Sequence, residues 1–176
     1  MKINWHNPFS LSSPGTPETF QNQADAGGPE AQNNLGVLYT TGGAFPVNYP
    51  AAALCFRKAA EKGYALAQTN LARMYALGEG QPRDNAEALK WLRRAATQGD
   101  AGAQFHLGVA LHRASLGTTT PLLTETKIEA FMWLQLATSQ GFFKAETARD
   151  QLNLQMSQSE FQESSRRVAR FVAAAE

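Results

Sequence analysis

The chain has 176 residues, 43% of them hydrophobic, which is enough for one ordinary domain or for a short solenoid with its core spread along its length. Sixteen Lys and Arg residues against fifteen Asp and Glu residues give a formal net charge of +1, which argues against nucleic acid or a membrane surface as the main partner. Because no apolar leader follows Met1 and no apolar run is long enough to span a bilayer, we expect a soluble, cytoplasmic protein.

Residues 1–15 are predicted to form an extended N-terminal arm. Ile3, Trp5 and Phe9 alternate with polar residues around Pro8, a pattern that suits an extended segment better than a helix. The arm either covers the open end of the first helical hairpin or docks into a groove of a neighbouring molecule, which would make a homodimer. Its apolar content argues against a purely disordered tail.

Residues 16–27 are predicted to form an opening half repeat. Pro17 indicates a helix start, because proline is well tolerated at the first helical position. Phe20 lies 36 residues before Phe56, a position in a later helix of the same kind. We therefore expect one unpaired helix here, placed like the second helix of a hairpin.

Residues 64–99 contain one complete copy of a helical hairpin. The first helix carries apolar and small residues on one face, at Ala67, Leu71, Ala72 and Tyr75. After a glycine-rich turn, Asp84 lies three residues before Glu87, a capping-box spacing that predicts a second helix. The second helix has its own apolar face, made of Ala88, Trp91, Leu92, Ala95 and Ala96, and is predicted to end at Gly99.

The hairpin recurs with a period of 36 residues, which defines repeats at 28–63, 64–99 and 100–141. In the first helices the period aligns Ala31, Ala67 and Ala103, then Leu35, Leu71 and Leu107, then Gly36, Ala72 and Gly108. In the second helices it aligns Ala52, Ala88 and Ala130, and Cys55, Trp91 and Trp133, once six extra residues are allowed in the third copy. A lone hairpin cannot bury its own apolar face, so the repeats are expected to stack.

The third repeat departs from the pattern at its turn. The six extra residues are expected in the loop between Arg113 and Glu125, either as a tolerated surface insertion or as part of a binding face. Thr126 with Glu129 has the capping-box spacing and predicts that the second helix begins there.

Residues 142–176 are predicted to form a degenerate repeat followed by a C-terminal capping helix. Ser157 with Glu160 makes another capping box, and the helix that follows has one apolar and one charged face. The apolar face is expected to consist of Phe161, Ser165, Val168, Phe171 and Val172. A terminal repeat needs such a helix as a cap, although a basic amphipathic helix can also meet a membrane or a partner.

The repeat resembles the Sel-one-like repeat, a relative of the tetratricopeptide repeat. The resemblance rests on Ala-x-x-x-Leu-Gly/Ala-x-x-Tyr, a glycine-rich turn, Asp or Asn, and Ala-x-x-Trp-x-x-x-Ala-Ala-x-x-Gly, and it covers roughly residues 16–156. It implies an all-α, right-handed α/α solenoid of helix hairpins that acts as an adaptor in protein assemblies.

Candidate reactive residues are few. The single cysteine, Cys55, cannot pair within the chain, and a small buried thiol is expected in preference to a reactive nucleophile. His106 and His112 are six residues apart, on different sides of one helix, which does not suit shared metal ligation, and His6 lies in the arm. We therefore predict no catalytic residues, no metal and no cofactor.

The function predicted from the sequence is a non-catalytic protein interaction module that binds a peptide, loop or helix of a partner on its concave face. The residues predicted to line that face are Asn33, Val37, Thr40, Thr69, Asn70, Arg73, Phe105, His106, Val109 and His112. There, an apolar strip would anchor a hydrophobic side chain while a neighbouring cation holds a carbonyl or carboxylate. Two alternatives stay open: an enzyme or enzyme-inhibiting protein of the same repeat family, and a scaffold that self-assembles through its N-terminal arm.

Overall fold

The computed structural model describes residues 17–42, 46–116 and 121–174, so the predicted N-terminal arm lies outside the described residues. Within these ranges every regular element is a helix, and the chain forms an all-α helical repeat solenoid, as the sequence predicts. The helices are α1 (Pro17–Ala26), α2 (Gly28–Thr41), α3 (Tyr49–Glu61), α4 (Ala65–Leu77), α5 (Asn85–Thr97), α6 (Ala101–Ser115), α7 (Pro121–Ser139), α8 (Ala145–Asn153) and α9 (Gln158–Ala173). The chain divides into two compact units, Met1–Ala88 and Leu89–Glu176, with the boundary inside α5.

In the first unit, α1 packs on α2, α2 on α3 and α3 on α4. Leu35, Phe56 and Leu71 are almost completely buried, as the repeating apolar columns predict. The helices α2 and α3 come very close at Gly36, because a Cβ there would lie 2.6 Å from Cε1 of Phe56. A side chain at this position would push the two helices apart.

The turn after α4 is held against the start of α3. Gly80 has a φ of +72°, and a Cβ on it would lie 2.3 Å from the carbonyl oxygen of Tyr49. Only glycine satisfies both the left-handed backbone and the close approach. The turn then reaches Asp84, whose Oδ1 accepts hydrogen bonds from the backbone N–H groups of Ala86 and Glu87 and so starts α5.

In the second unit, α6 packs on α7, and α7 also packs on α8 and α9. The C-terminal helix α9 begins with the predicted capping box between Ser157 and Glu160, which is confirmed. Aromatic edge-to-face pairs join it to α7, with Phe161 on Phe131 and Phe171 on Trp133.

Two details of the second unit differ from prediction. The helix α7 begins at Pro121, so Thr126 lies inside it and the predicted capping box with Glu129 is wrong. Glu129 instead pairs with Arg93 and accepts a hydrogen bond from Nε1 of Trp133, so part of the insertion lengthens α7. On α9 the buried serine is Ser164, whose Oγ donates to the carbonyl of Ile128, whereas the predicted Ser165 is exposed.

Candidate partner-binding surfaces

In the first unit, the residues predicted to line the concave face lie on α2 and α4. A pair of side-chain amides joins these two helices. Nδ2 of Asn70 donates to Oδ1 of Asn33 at 3.0 Å, and Asn33 is buried. The side chain of Asn33 therefore holds the two helices in register and presents little surface to a partner.

Of the other residues predicted to line the concave face in the first unit, three form hydrogen bonds or ion pairs within the protein. Thr40 and Thr69 donate their hydroxyls to carbonyls of their own helices, those of Val37 and Ala65. Arg73 forms an ion pair with Glu79 at 2.9 Å, which neutralises its charge but leaves about half of its side chain exposed. Val37 is the exposed apolar residue of this set.

In the second unit, α6 presents Phe105, Val109 and His112 at successive turns of one face, all half-buried. The ring of Phe105 stacks on that of Phe142, with the centroids 5.1 Å apart and the planes at 29°. The rings of Phe105 and His106 pack edge to face, with their centroids 5.2 Å apart. Phe105 and His106, both predicted from the sequence, are thus brought together with an aromatic residue that the prediction missed.

The residue that follows Phe142 is a second, exposed phenylalanine. Phe143 is 91% exposed, an unusual position for a phenylalanine on a folded protein. Phe143 and Lys144 border a shallow cavity of about 470 Å³ along the first turns of α8. We call Phe105, His106, Phe142, Phe143 and Lys144 the Phe105 surface.

Both histidines on α6 are biased towards the neutral form. Desolvation lowers the pKa of His106, and the nearby charge of Lys144 lowers it further, although Asp100 acts in the opposite direction. Desolvation also lowers the pKa of His112, whose Nδ1 is buried and has no hydrogen-bond partner among the described residues. Near neutral pH the cation of the Phe105 surface is therefore Lys144.

A column of buried glutamines, which was not predicted from the sequence, ties successive hairpins together. Gln32, Gln68 and Gln104 recur every 36 residues, and all three are buried. Nε2 of Gln68 donates to the carbonyl of Ala60, and Nε2 of Gln104 to that of Ala96. The bond satisfies a carbonyl at the end of the preceding helix, which explains a polar residue inside the core. The signal that could have revealed this column was the 36-residue period itself.

Across the described ranges no cluster of three or more His, Cys, Asp or Glu residues is arranged to hold a metal ion. None of the helices described combines the length and the apolar character needed to cross a membrane.

The helical hairpins and their spacing define a helical repeat protein. A family model for the Sel1 repeat matches residues 29–64, 65–100 and 101–142, so the chain belongs to the Sel1 repeat family. Sel1 repeats are generally protein-interaction modules, and the family is typically non-catalytic.

Solved structures that are similar to this chain include the following two. A Sel1 repeat protein from Oxalobacter formigenes is 34% identical, with a TM-score of 0.61, over 73% of this chain and 49% of that one. A protective antigen present in uropathogenic Escherichia coli strains, which displays an SLR fold, is 22% identical, with a TM-score of 0.63, over 89% of this chain and 40% of that one. This chain thus spans about half or less of the length of either protein. No curated protein matches the sequence.

Proposed function

We propose that this protein is a non-catalytic adaptor and that it binds a peptide, loop or helix of a partner protein at the Phe105 surface. This surface contains Phe105 and His106 of the predicted concave face, together with Phe142, Phe143 and Lys144, which were not predicted. The membership of the chain in a family of interaction modules supports the general role. The surface chemistry supports the location.

One observation carries the location: Phe105 and Phe142 form a stacked pair, and the residue that follows Phe142 in the chain, Phe143, is almost wholly exposed. Covering an exposed aromatic ring with a partner lowers the free energy of the complex. Aromatic residues are enriched among the interface residues that contribute most of the binding energy. The stacked pair is held by α6 and by the turn before α8, so binding loses little conformational freedom there.

The charge on this surface selects the partner's chemistry. Lys144 is exposed beside the rings, while the neutral imidazole of His106 adds no second charge near neutral pH. We expect the partner to place an apolar side chain on the rings and an acidic side chain or carbonyl oxygen near Lys144.

Affinity capture with matched surface variants tests this proposal. Phe143→Ser removes the exposed ring, and Leu154→Ser removes an apolar side chain of similar exposure, 88%, after α8. A partner captured by the unmodified protein and by Leu154→Ser, but recovered less with Phe143→Ser, supports the Phe105 surface. Because both residues are highly exposed, neither change is expected to unfold the protein, and circular dichroism checks this.

The proposal also predicts the behaviour of a second variant, Phe105→Asp. It places a charge beside Phe142 and should abolish recovery of the same partner. Equal recovery with Phe143→Ser, Phe105→Asp and the unmodified protein would show that the partner binds elsewhere.

A further inference from the structure

A separate pocket in the first unit lies between the start of α3 and the turn after α4. It has a volume of about 320 Å³ and is lined by Pro50, Ala53, Leu54, Arg57, Gly80 and Gln81. Its apolar lining includes Leu54, which is 63% exposed at the rim. Its two polar side chains are Arg57 and Gln81.

The two polar side chains of the pocket hold each other in place. One guanidinium nitrogen of Arg57 donates to Oη of Tyr75 at 2.7 Å and to Oε1 of Gln81 at 3.0 Å, and the guanidinium lies over the Tyr75 ring. Because arginine can only donate, it fixes the orientation of the Gln81 amide, whose oxygen must face it. The Nε2 of Gln81 therefore points away from Arg57, is buried, and donates to no acceptor among the described residues.

The charge of Arg57 is not neutralised within the described part of the chain. Its partners there are a hydroxyl, an amide oxygen and an aromatic ring, all of which are uncharged. The arginine at the equivalent position one repeat later, Arg93, forms a two-pronged ion pair with Glu129. The comparison shows what Arg57 lacks, which is a carboxylate.

An acidic side chain would neutralise the charge of Arg57 and supply an acceptor for Nε2 of Gln81. One carboxylate has several acceptor positions, enough for the guanidinium of Arg57 and for Nε2 of Gln81 together. A glutamate reaches a recessed donor through two methylene groups, which can lie along Pro50 and Ala53 while its main chain stays outside. A chain terminus would have to bring peptide groups into a pocket that has few partners for them.

We propose that this pocket binds a glutamate side chain of a partner polypeptide, with its carboxylate between Arg57 and Gln81. The site lies in the first unit and does not depend on the Phe105 surface. The two proposals can therefore fail separately.

Nuclear magnetic resonance of the 176-residue chain tests the site with a small probe. N-acetylglutamic acid α-amide carries a single side-chain carboxylate, and N-acetylglutamine α-amide is its neutral counterpart of the same shape. We expect the acid to shift the side-chain N–H signals of Arg57 and Gln81, and the neutral counterpart to leave them in place. Equal shifts with both probes, or no shift with the acid up to its solubility limit, would overturn the proposal.

Variants of the pocket and a matched control complete the test. Arg57→Gln should weaken binding of the acidic probe by roughly tenfold or more, because a charged hydrogen-bond donor is lost. Arg93→Gln, at the equivalent position of the next repeat, should leave the affinity unchanged. Leu54→Glu puts a carboxylate at the exposed rim and should also weaken binding, which keeps the test valid if Arg57→Gln impairs folding. Unchanged affinity in both pocket variants would contradict the site.

A third probe separates the two sources of a carboxylate. N-acetylleucine has a terminal carboxylate and an apolar side chain but no acidic side chain. Tighter binding of N-acetylleucine than of the glutamate probe would assign the pocket to a chain terminus and overturn the proposed occupant.

Discussion

Asn70 on α4 donates its side-chain amide to Oδ1 of the buried Asn33 on α2, 37 residues earlier in the chain. The two side chains sit at neighbouring positions of successive repeats, so the bond crosses from one hairpin to the next. A buried amide pair fixes the relative position of the two helices, because shifting either helix by one turn would leave both amides without a partner.

We predict that Asn33 and Asn70 stabilise the first unit as a coupled pair. Replacing either one with alanine should lower the free energy of unfolding by about 1–3 kcal/mol, because the other is left unsatisfied. In a double-mutant cycle measured by urea denaturation, the coupling should be about 0.5–1.5 kcal/mol.

The control for this cycle is Asn22→Ala on the exposed face of α1, which should change stability by less than about 0.7 kcal/mol. If the effects of the Asn33 and Asn70 substitutions add without coupling, the two amides do not depend on each other.

Much of the fold could be predicted because burial follows the 36-residue period. Leu35, Leu71 and Leu107 are each fully buried, and one apolar column is enough to orient its helix. The start of α7 could not be predicted, because a Thr and a Glu three residues apart look the same inside a helix as at its beginning. There, Pro121 at the first position begins the helix earlier.

The candidate site was only partly accessible from sequence. Phe105 was predicted from its place on the helix, since helical spacing gives the face on which a residue lies. Its stacking partner Phe142 follows the repeat's final glycine, in a turn where periodicity gives no orientation. Asn33 shows the reverse problem, because its side chain is buried by packing that spacing alone does not reveal.

Two glycines of α6 should respond in opposite ways to alanine. A Cβ at Gly108 would lie 2.7 Å from Cγ of Leu134 and 3.0 Å from the Ala130 carbonyl oxygen, so Gly108→Ala forces α6 and α7 apart. We expect a loss of about 1–3 kcal/mol, which outweighs the gain in helix propensity.

Gly102→Ala is the matched change in the same helix. A Cβ there would meet nothing closer than 3.4 Å, and alanine should raise the free energy of unfolding by about 0.5–1 kcal/mol. Thermal and urea denaturation measure both effects. A stabilising Gly108→Ala would show that the packing of α6 on α7 is looser than described.

The thiol of Cys55 should be inert in the folded protein. Cys55 is buried, as predicted, and burial raises its pKa to about 11, although Lys58 acts in the opposite direction. The thiolate is the reactive form, and a raised pKa keeps its population low at mildly alkaline pH. Modification by Ellman's reagent should therefore occur only after the first unit unfolds. Adding urea should raise the rate of modification to that of an exposed thiol. Rapid modification of the native protein would mean that Cys55 is accessible.

Stability near α9 should fall in acid because of Glu160. Burial by itself would raise the pKa of Glu160, but the hydrogen bonds from Lys127 and Ser157 outweigh it, and the pKa lies below its ordinary value of 4.5. Nζ of Lys127 is 2.9 Å from Oε1 of Glu160, and both side chains are largely buried. A depressed pKa gives stability that is fully present above pH 4.5 and is lost as the pH falls through the folded-state pKa.

We therefore predict that Lys127→Met destabilises the second unit most at neutral pH, by about 1–3 kcal/mol. The difference from the unmodified protein should shrink as the pH is lowered below 4.5, because protonated Glu160 no longer forms the ion pair. Tryptophan fluorescence, to which Trp133 contributes beside Phe171 of α9, can follow unfolding in urea at each pH. Lys62→Met, at an exposed position after α3, is the control and should not change this pH dependence. A Lys127→Met effect of equal size at every pH would mean that packing, rather than the charge of Glu160, connects α7 to the start of α9.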